Sequence, residues 1–144
     1  MSEREIQIVR DFNRFYTNVL GLVSDHILES DYSLPEARVL YELHHHQPCT
    51  ASTIILSINM DKGYLSRILK AFERKGILAK KQSKMDGRVS RLLLTKKGER
   101  EFRKINSASA FQIKHLLNAL NQQELKEAIH CMEQLKEILG KARV

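Results

Sequence analysis

Apolar residues recur at the start of the chain in steps of three and four, at Ile6, Val9, Phe12, Tyr16, Val19, Val23 and Ile27. That period draws one stripe down a helix of about 25 residues. Ser2-x-x-Glu5 precedes the stripe, and a hydroxyl and a carboxylate at that spacing satisfy the first free amides of a helix. A stripe this long needs covering. In a chain of 144 residues a second subunit is a natural partner.

Ser33-x-x-Glu36 repeats the capping signal, with Pro35 tolerated in the first turn. Ala37, Val39, Leu40 and Leu43 form the buried side of a short helix that must stop before Pro48. Thr50 predicts the cap of a third helix reaching about Ser57, and Asn59 suits a left-handed turn after it. Asp61 is placed to cap a fourth helix that Gly76 can end. Leu65, Ile68, Leu69 and Phe72 are its inward set. Lys62, Tyr64, Ser66, Arg67, Lys70 and Arg74 lie largely on the other face. A short helix, a tight turn and a second helix with basic and hydroxyl groups outward describe helix-turn-helix geometry.

Residues 77–83 and 89–95 then read as two strands, joined by the polar tip Lys84-Met-Asp-Gly-Arg88 with Asp86-Gly87 as the turn signal. Thr95 predicts the cap of a fifth helix running to about Leu120. Asn121-x-x-Glu124 opens a last helix striped by Leu125, Ala128, Ile129, Met132, Leu135, Ile138 and Leu139. The pattern predicts a mainly α fold with a small β-hairpin wing, a winged helix-turn-helix lobe over 33–95 and flanking helices at 1–30 and 96–144.

Charge sharpens this picture. The chain carries a net +7, yet residues 60–104 hold 15 Lys/Arg against 5 Asp/Glu, while the remainder is mildly acidic. A basic middle between acidic ends predicts a polyanion at one surface. Runs of apolar residues reach only three, far short of the ~20 a membrane span needs. The charged start Met1-Ser-Glu-Arg-Glu5 does not resemble a signal peptide, so a cytoplasmic protein is expected. Cys49 and Cys131 are then expected to be mostly buried thiols rather than a disulfide. There is no Gly-rich phosphate loop, zinc-hydrolase motif or nucleophile elbow, which argues against an enzyme and implies no cofactor.

The segments Ser33-Leu-Pro-Glu-Ala-Arg-Val-Leu-Tyr-Glu-Leu43, Met60-Asp-Lys-Gly-Tyr-Leu-Ser-Arg-Ile-Leu69, Glu73-Arg-Lys-Gly-Ile-Leu78, Asp86-Gly-Arg88 and Leu94-Thr-Lys-Lys-Gly98 follow one another in an order and spacing that resembles the MarR family of transcription regulators. The first, second and fourth helices look especially like the MarR-type halves fused to GNAT acetyltransferases. The chain ends at Val144, so an acetyltransferase domain is not expected. The third helix, Ala51-Ser-Thr-Ile-Ile-Leu-Ser-Ile58, is more aliphatic than the family's usual mixture.

The resemblance implies a homodimer interlocked through its terminal helices, a recognition helix in the major groove and a wing at the minor groove. It implies a repressor on a pseudo-palindromic operator, released by a small aromatic or phenolic effector that Tyr16, Arg38 and His115 could border. Arg67 is the first candidate for a base contact, since Arg to guanine is the commonest such pairing. Lys62, Tyr64 and Ser66 lie beside it, Gly63 permits close approach, and Lys70 continues the face. Arg88 suits a narrow minor groove. In the family pattern Asp86 orients that arginine, although a plain turn aspartate explains it too. Lys80, Lys81, Lys84 and Arg91 are candidate phosphate contacts.

Three rivals stay open. His44-His45-His46 raises a metal-responsive regulator, but successive helical residues point ~100° apart, so only one of them can join His26, His115 or His130 at an ion. An oxidant sensor is weakly supported, because MarR-like sensors place their cysteine in the first helix and Phe12 to Val23 has none. An architectural or interaction module explains the stripes and leaves the basic wing unexplained.

Overall fold

The computed structural model describes residues 1–19, 30–82 and 90–141. The order is α1 (Glu3–Val19), α2 (Leu34–His46), α3 (Ala51–Ile58), α4 (Lys62–Arg74), β1 (Leu78–Gln82), β2 (Ser90–Leu94), α5 (Lys96–Leu117) and α6 (Gln122–Gly140). It is a mainly α fold with a two-stranded antiparallel hairpin. The chain forms two compact units, Met1–Ala108 and Ser109–Val144. Val23 and Ile27, the far end of the first predicted stripe, lie outside the described residues.

Local chemistry sets the helix ends where the sequence signals them. Ser2 and Glu5 exchange the capping-box bonds before α1, with Ser2 N donating to Glu5 Oε2 at 2.6 Å and Glu5 N to Ser2 Oγ at 3.3 Å. Both bonds also form at Ser33 and Glu36, and at Asn121 and Glu124. Thr50 Oγ1 accepts from Thr53 N to start α3, and Asn59 ends it at φ 50°. The end of α4 is a full Schellman turn: Gly76 N donates to Glu73 O at 3.0 Å and Ile77 N to Phe72 O at 2.9 Å. It requires the left-handed φ of +70° at Gly76, a conformation glycine adopts without a Cβ penalty.

The core of the first unit gathers Val39, Leu40 and Leu43 from α2, Ile54 from α3, Leu65, Ile68, Leu69 and Phe72 from α4, and Leu78 and Leu92 from the hairpin. Tyr32, Cys49, Ile77 and Phe102 complete it. Every residue of the inward set predicted for α4 is buried.

The register pairs Leu78 with Leu94, Lys80 with Leu92 and Lys81 with Arg91. Beyond the hairpin, Cys49 forms a bridge on the outer edge of β2, with Cys49 N to Leu92 O at 3.2 Å and Leu92 N to Cys49 O at 2.7 Å.

The join between hairpin and α5 is tight. Thr95 Oγ1 accepts from Gly98 N at 3.1 Å and donates to Gly76 O at 2.6 Å. A Cβ at Gly98 would stand 2.3 Å from Ile77 O, so only glycine lets the first turn of α5 lie on that backbone.

The terminal helices are covered differently. Neither α1 nor α6 has a buried residue. Val9, Phe12 and Phe15 on α1 are exposed, as are Ile129, Met132, Leu135, Ile138 and Leu139 on α6.

Candidate nucleic-acid interface

With one side of α4 committed to the core, its other side must face solvent. Gly63, Ser66, Arg67, Lys70 and Arg74 recur at three- and four-residue steps, which sets them along one ridge. All five are exposed, as are Lys62 and Tyr64 at the start of the helix. Asp61 Oδ1 accepts from Tyr64 N at 2.8 Å and fixes that start. A Cβ on Gly63 would press to 3.2 Å from the same oxygen, so this glycine also spares the cap.

The Arg67 guanidinium carbon stands 5.4 Å from the centre of the Tyr64 ring, a cation–π distance that favours one orientation of a long side chain. Arg67, Lys70, Glu73 and Arg74 line a shallow open groove. These groups form a ridge of positive charge and hydroxyl chemistry with an apolar back, the arrangement needed to lay a helix in a groove lined by phosphates.

The hairpin contributes unequally. Lys81 and Arg91 are cross-strand partners and both are exposed. Lys80, a sequence candidate for a phosphate contact, pairs with Glu73 Oε2 on α4 at 2.6 Å. Lys84, Asp86 and Arg88 lie outside the described residues.

The histidine run fans out, as the helical period requires. His44 Nδ1 bonds to Glu99 Oε2 at 3.0 Å while its ring stacks on Phe102, centroids 3.8 Å apart. His45 Nδ1 bonds to Tyr41 O at 2.9 Å. His46 Nε2 meets Glu42 Oε2 at 3.1 Å, and Ser57 Oγ donates to the same oxygen at 2.5 Å. Glu42 is buried, and these two donors offset its lost hydration. Among the described residues no three His, Cys, Asp or Glu side chains gather to hold a metal ion.

The two cysteines differ, which corrects the expectation that both are mostly buried. Cys49 is buried, and burial pushes its thiol up against a smaller opposing pull from Arg91. Cys131 is exposed on α6. Of the residues suggested to border an effector, Tyr16 stacks on Phe12 at 5.7 Å and Arg38 and His115 are exposed.

Two polar groupings escaped the sequence reading. Glu99 on α5 accepts from both His44 and Gln47. The Tyr32 hydroxyl donates to Glu101 Oε2 at 3.3 Å, with its ring edge-on to Phe72 and beneath the Lys75 ammonium. Only the capping signal beside them is visible in sequence, because each pairing spans more than 50 positions.

No described helix is long and apolar enough to cross a membrane. The sequence model of the MarR family matches residues 32–90, from just before α2 to the first residue of β2. The HTH-type transcriptional regulator MhqR of Bacillus subtilis is 25% identical over 138 residues, covering 96% of this chain and 93% of its own. With so little of it left over, this match lends no support to the further likeness to acetyltransferase fusions. The HTH-type transcriptional regulator BilQ of Clostridium symbiosum is 25% identical over 87 residues, and there this chain spans 60% of the relative's length.

Among solved structures, Streptococcus pneumoniae FabT in complex with DNA superposes with a TM-score of 0.81 at 21% identity, covering 96% of this chain and 99% of that one. Bordetella bronchiseptica BpsR, whose DNA binding is regulated by 6-hydroxynicotinic acid, superposes at 0.71 with 15% identity, covering 90% and 98%. At such identities the likeness speaks for the fold. Together with the ridge on α4, these likenesses give the chain the winged helix-turn-helix fold, and its lobe over residues 32–90 matches the MarR family, to whose DNA-binding transcription regulators the chain is similar.

Proposed function

We propose that this chain acts as a homodimeric repressor that binds a pseudo-palindromic operator and is released by a small aromatic effector. The observation that carries the reading is the pairing of a basic ridge on α4 with uncovered apolar stripes on α1 and α6. One α4 reads one half-site, and the stripes supply the self-complementary surface that sets the distance between two such helices.

In this reading Arg67 contacts a guanine edge in the major groove, held by Tyr64, with Ser66 and Lys62 beside it. Lys70, Lys81, Lys84 and Arg91 neutralise phosphates, which ties affinity to salt. Arg88 enters the minor groove and Asp86 orients it. The protein binds rather than catalyses, and it works in the cytoplasm where the chromosome is. An effector releases the operator by binding better to the conformation in which the two α4 helices are wrongly spaced. The regulation of BpsR by 6-hydroxynicotinic acid makes planar aromatic acids and phenols the first class to assay.

Selection of bound sites from random duplex DNA tests the reading. The expected product is a two-fold repeat with half-sites about one helical turn (~10 bp) apart. Recovery of unrelated sequences with equal affinity would sink it in favour of an architectural role.

A further inference from the structure

The outer edge of β2 is paired in two different ways. At Leu92 both backbone groups bond to the backbone of Cys49. Two residues on, the Leu94 N–H leaves the same edge and meets a side chain, Gln47 Oε1, at 2.8 Å. The carboxamide thus extends the bridge past Pro48, whose ring nitrogen has no hydrogen to offer. Its other end is committed as well, with Gln47 Nε2 donating to Glu99 Oε1 at 2.6 Å. Turning the amide over would set N–H against N–H and carbonyl against carboxylate, so a single orientation satisfies both neighbours.

Glu99 is fixed in turn. Its second oxygen accepts from His44 Nδ1, and the His44 ring lies 15° from parallel on Phe102, itself a residue of α5. Besides the Cys49–Leu92 bridge, two contacts at the root of the hairpin tie β2 to its neighbours. Thr95 N donates to Ile77 O at 2.9 Å, a backbone pivot packed against Gly98 without slack. The other point is the Gln47 amide, which joins β2 to α5 through flexible side chains.

We propose that Gln47 is a positioning residue for the wing. It sets the angle of β2 about the Thr95–Ile77 pivot, so that Lys81 and Arg91 meet the DNA backbone. Glu99 is the group through which a shift of α5 reaches the wing. This rests on the reading that the hairpin contacts DNA. A hydrogen bond to an ionised carboxylate is stronger than a neutral one, which suits a part that must transmit movement rather than absorb it.

A double-mutant cycle on the full-length protein tests it, with affinity for the selected operator measured at several salt concentrations. Arg91→Ala alone is expected to weaken binding several-fold and lower the salt slope by about one. In a Gln47→Met background the same substitution is expected to cost less than about twofold, because the misplaced wing no longer delivers Arg91. Lys62→Ala, on α4, is expected to cost the same in both backgrounds. Glu99→Ala, which spares the Leu94–Gln47 bond, is expected to reproduce the coupling, and it carries the test alone if Gln47→Met does not fold. Equal losses from Arg91→Ala in all backgrounds overturn the positioning role. Coupling with Gln47→Met but not with Glu99→Ala overturns the link to α5. No loss from Arg91→Ala in the native background overturns both, and places the fault in the wing reading itself.

Discussion

α4 and α6 carry the same kind of pattern and come to different ends. Each is an amphipathic helix with apolar residues at three- and four-residue steps. In α4 the stripe is wholly buried, at Leu65, Ile68, Leu69 and Phe72. In α6 no residue is buried, and Leu135 and Ile138 stand 39% and 62% exposed. Hydrophobic periodicity states that a helix needs a partner; it does not state whether the partner is in the same chain. The difference arises from what surrounds each helix in sequence. α4 follows α3 by a three-residue turn and runs into a hairpin that folds back, so its cover is supplied locally. α6 follows α5, and among the described residues no element packs over its stripe.

The largest effect expected from this contrast lies in the covered helix. Phe72→Ala removes a fully buried ring from the centre of the core and is expected to cost about 3–5 kcal/mol of unfolding free energy, read by denaturant titration. A loss below 1 kcal/mol would show that the α4 stripe is less committed than its burial indicates. Next in size is Leu135→Arg on α6. If that stripe waits for a second copy, a charge there should leave helicity intact and cost about 2 kcal/mol or more of association. Sedimentation would then show monomers at concentrations where the native chain is dimeric, and operator affinity would fall with the dimer. Unchanged sedimentation would remove α6 from the dimer surface.

The polar face of α4 sharpens the comparison further, since only it is expected to discriminate sequences. Arg67→Ala should lose about 1–3 kcal/mol of preference for the operator over one with the contacted guanine replaced. Lys70→Ala should weaken both duplexes alike and lower the salt slope by about one. Full operator preference retained by Arg67→Ala in competition shift assays would move base reading elsewhere on the ridge.

Most of the fold was legible because its signals are local. Capping pairs three residues apart set the starts of α1, α2 and α6, Asn59 and Gly76 mark the two left-handed turns, and the α4 core set follows from period alone. At the root of the hairpin the strand ends, Leu78 and Leu94, fell within one residue of the predicted ones. What stayed hidden depends on residues brought together from far apart. Gln47 sits in what reads as a linker, and nothing in its neighbours foretells a bond to Glu99, 52 positions away. The glycine in Leu94-Thr-Lys-Lys-Gly98 was visible as a family signature, while its reason, the Ile77 carbonyl against its Cα, exists only in the fold. The Lys80–Glu73 pair was hidden for the same reason, since strand periodicity gives no sign of Glu73 beside it.

The smallest expected effect separates buried from exposed aromatic surface. Tyr32 is buried, at 6% exposure, whereas Tyr16, Tyr41 and Tyr64 are each exposed by 36% or more. Burial, the charge of the Glu101 carboxylate and the hydrogen bond that the hydroxyl donates to it, and the charges of Glu36 and Asp31 push the Tyr32 pKa from 10.0 up to about 12. A raised folded-state value means that the folded chain holds this proton more tightly than the unfolded chain does. The stability linked to it is therefore present in full below about pH 10 and is lost as pH rises from there through about 12. Tyr32→Phe deletes the titrating group and should flatten that part of the stability–pH curve, at the cost of the hydrogen bond to Glu101. An ultraviolet titration of native chain and variant, subtracted, isolates the Tyr32 step. If the difference spectrum shows ionisation complete by pH 10, water and not the core surrounds this ring, and the boundary between covered and uncovered surface must be redrawn around α4 and α5.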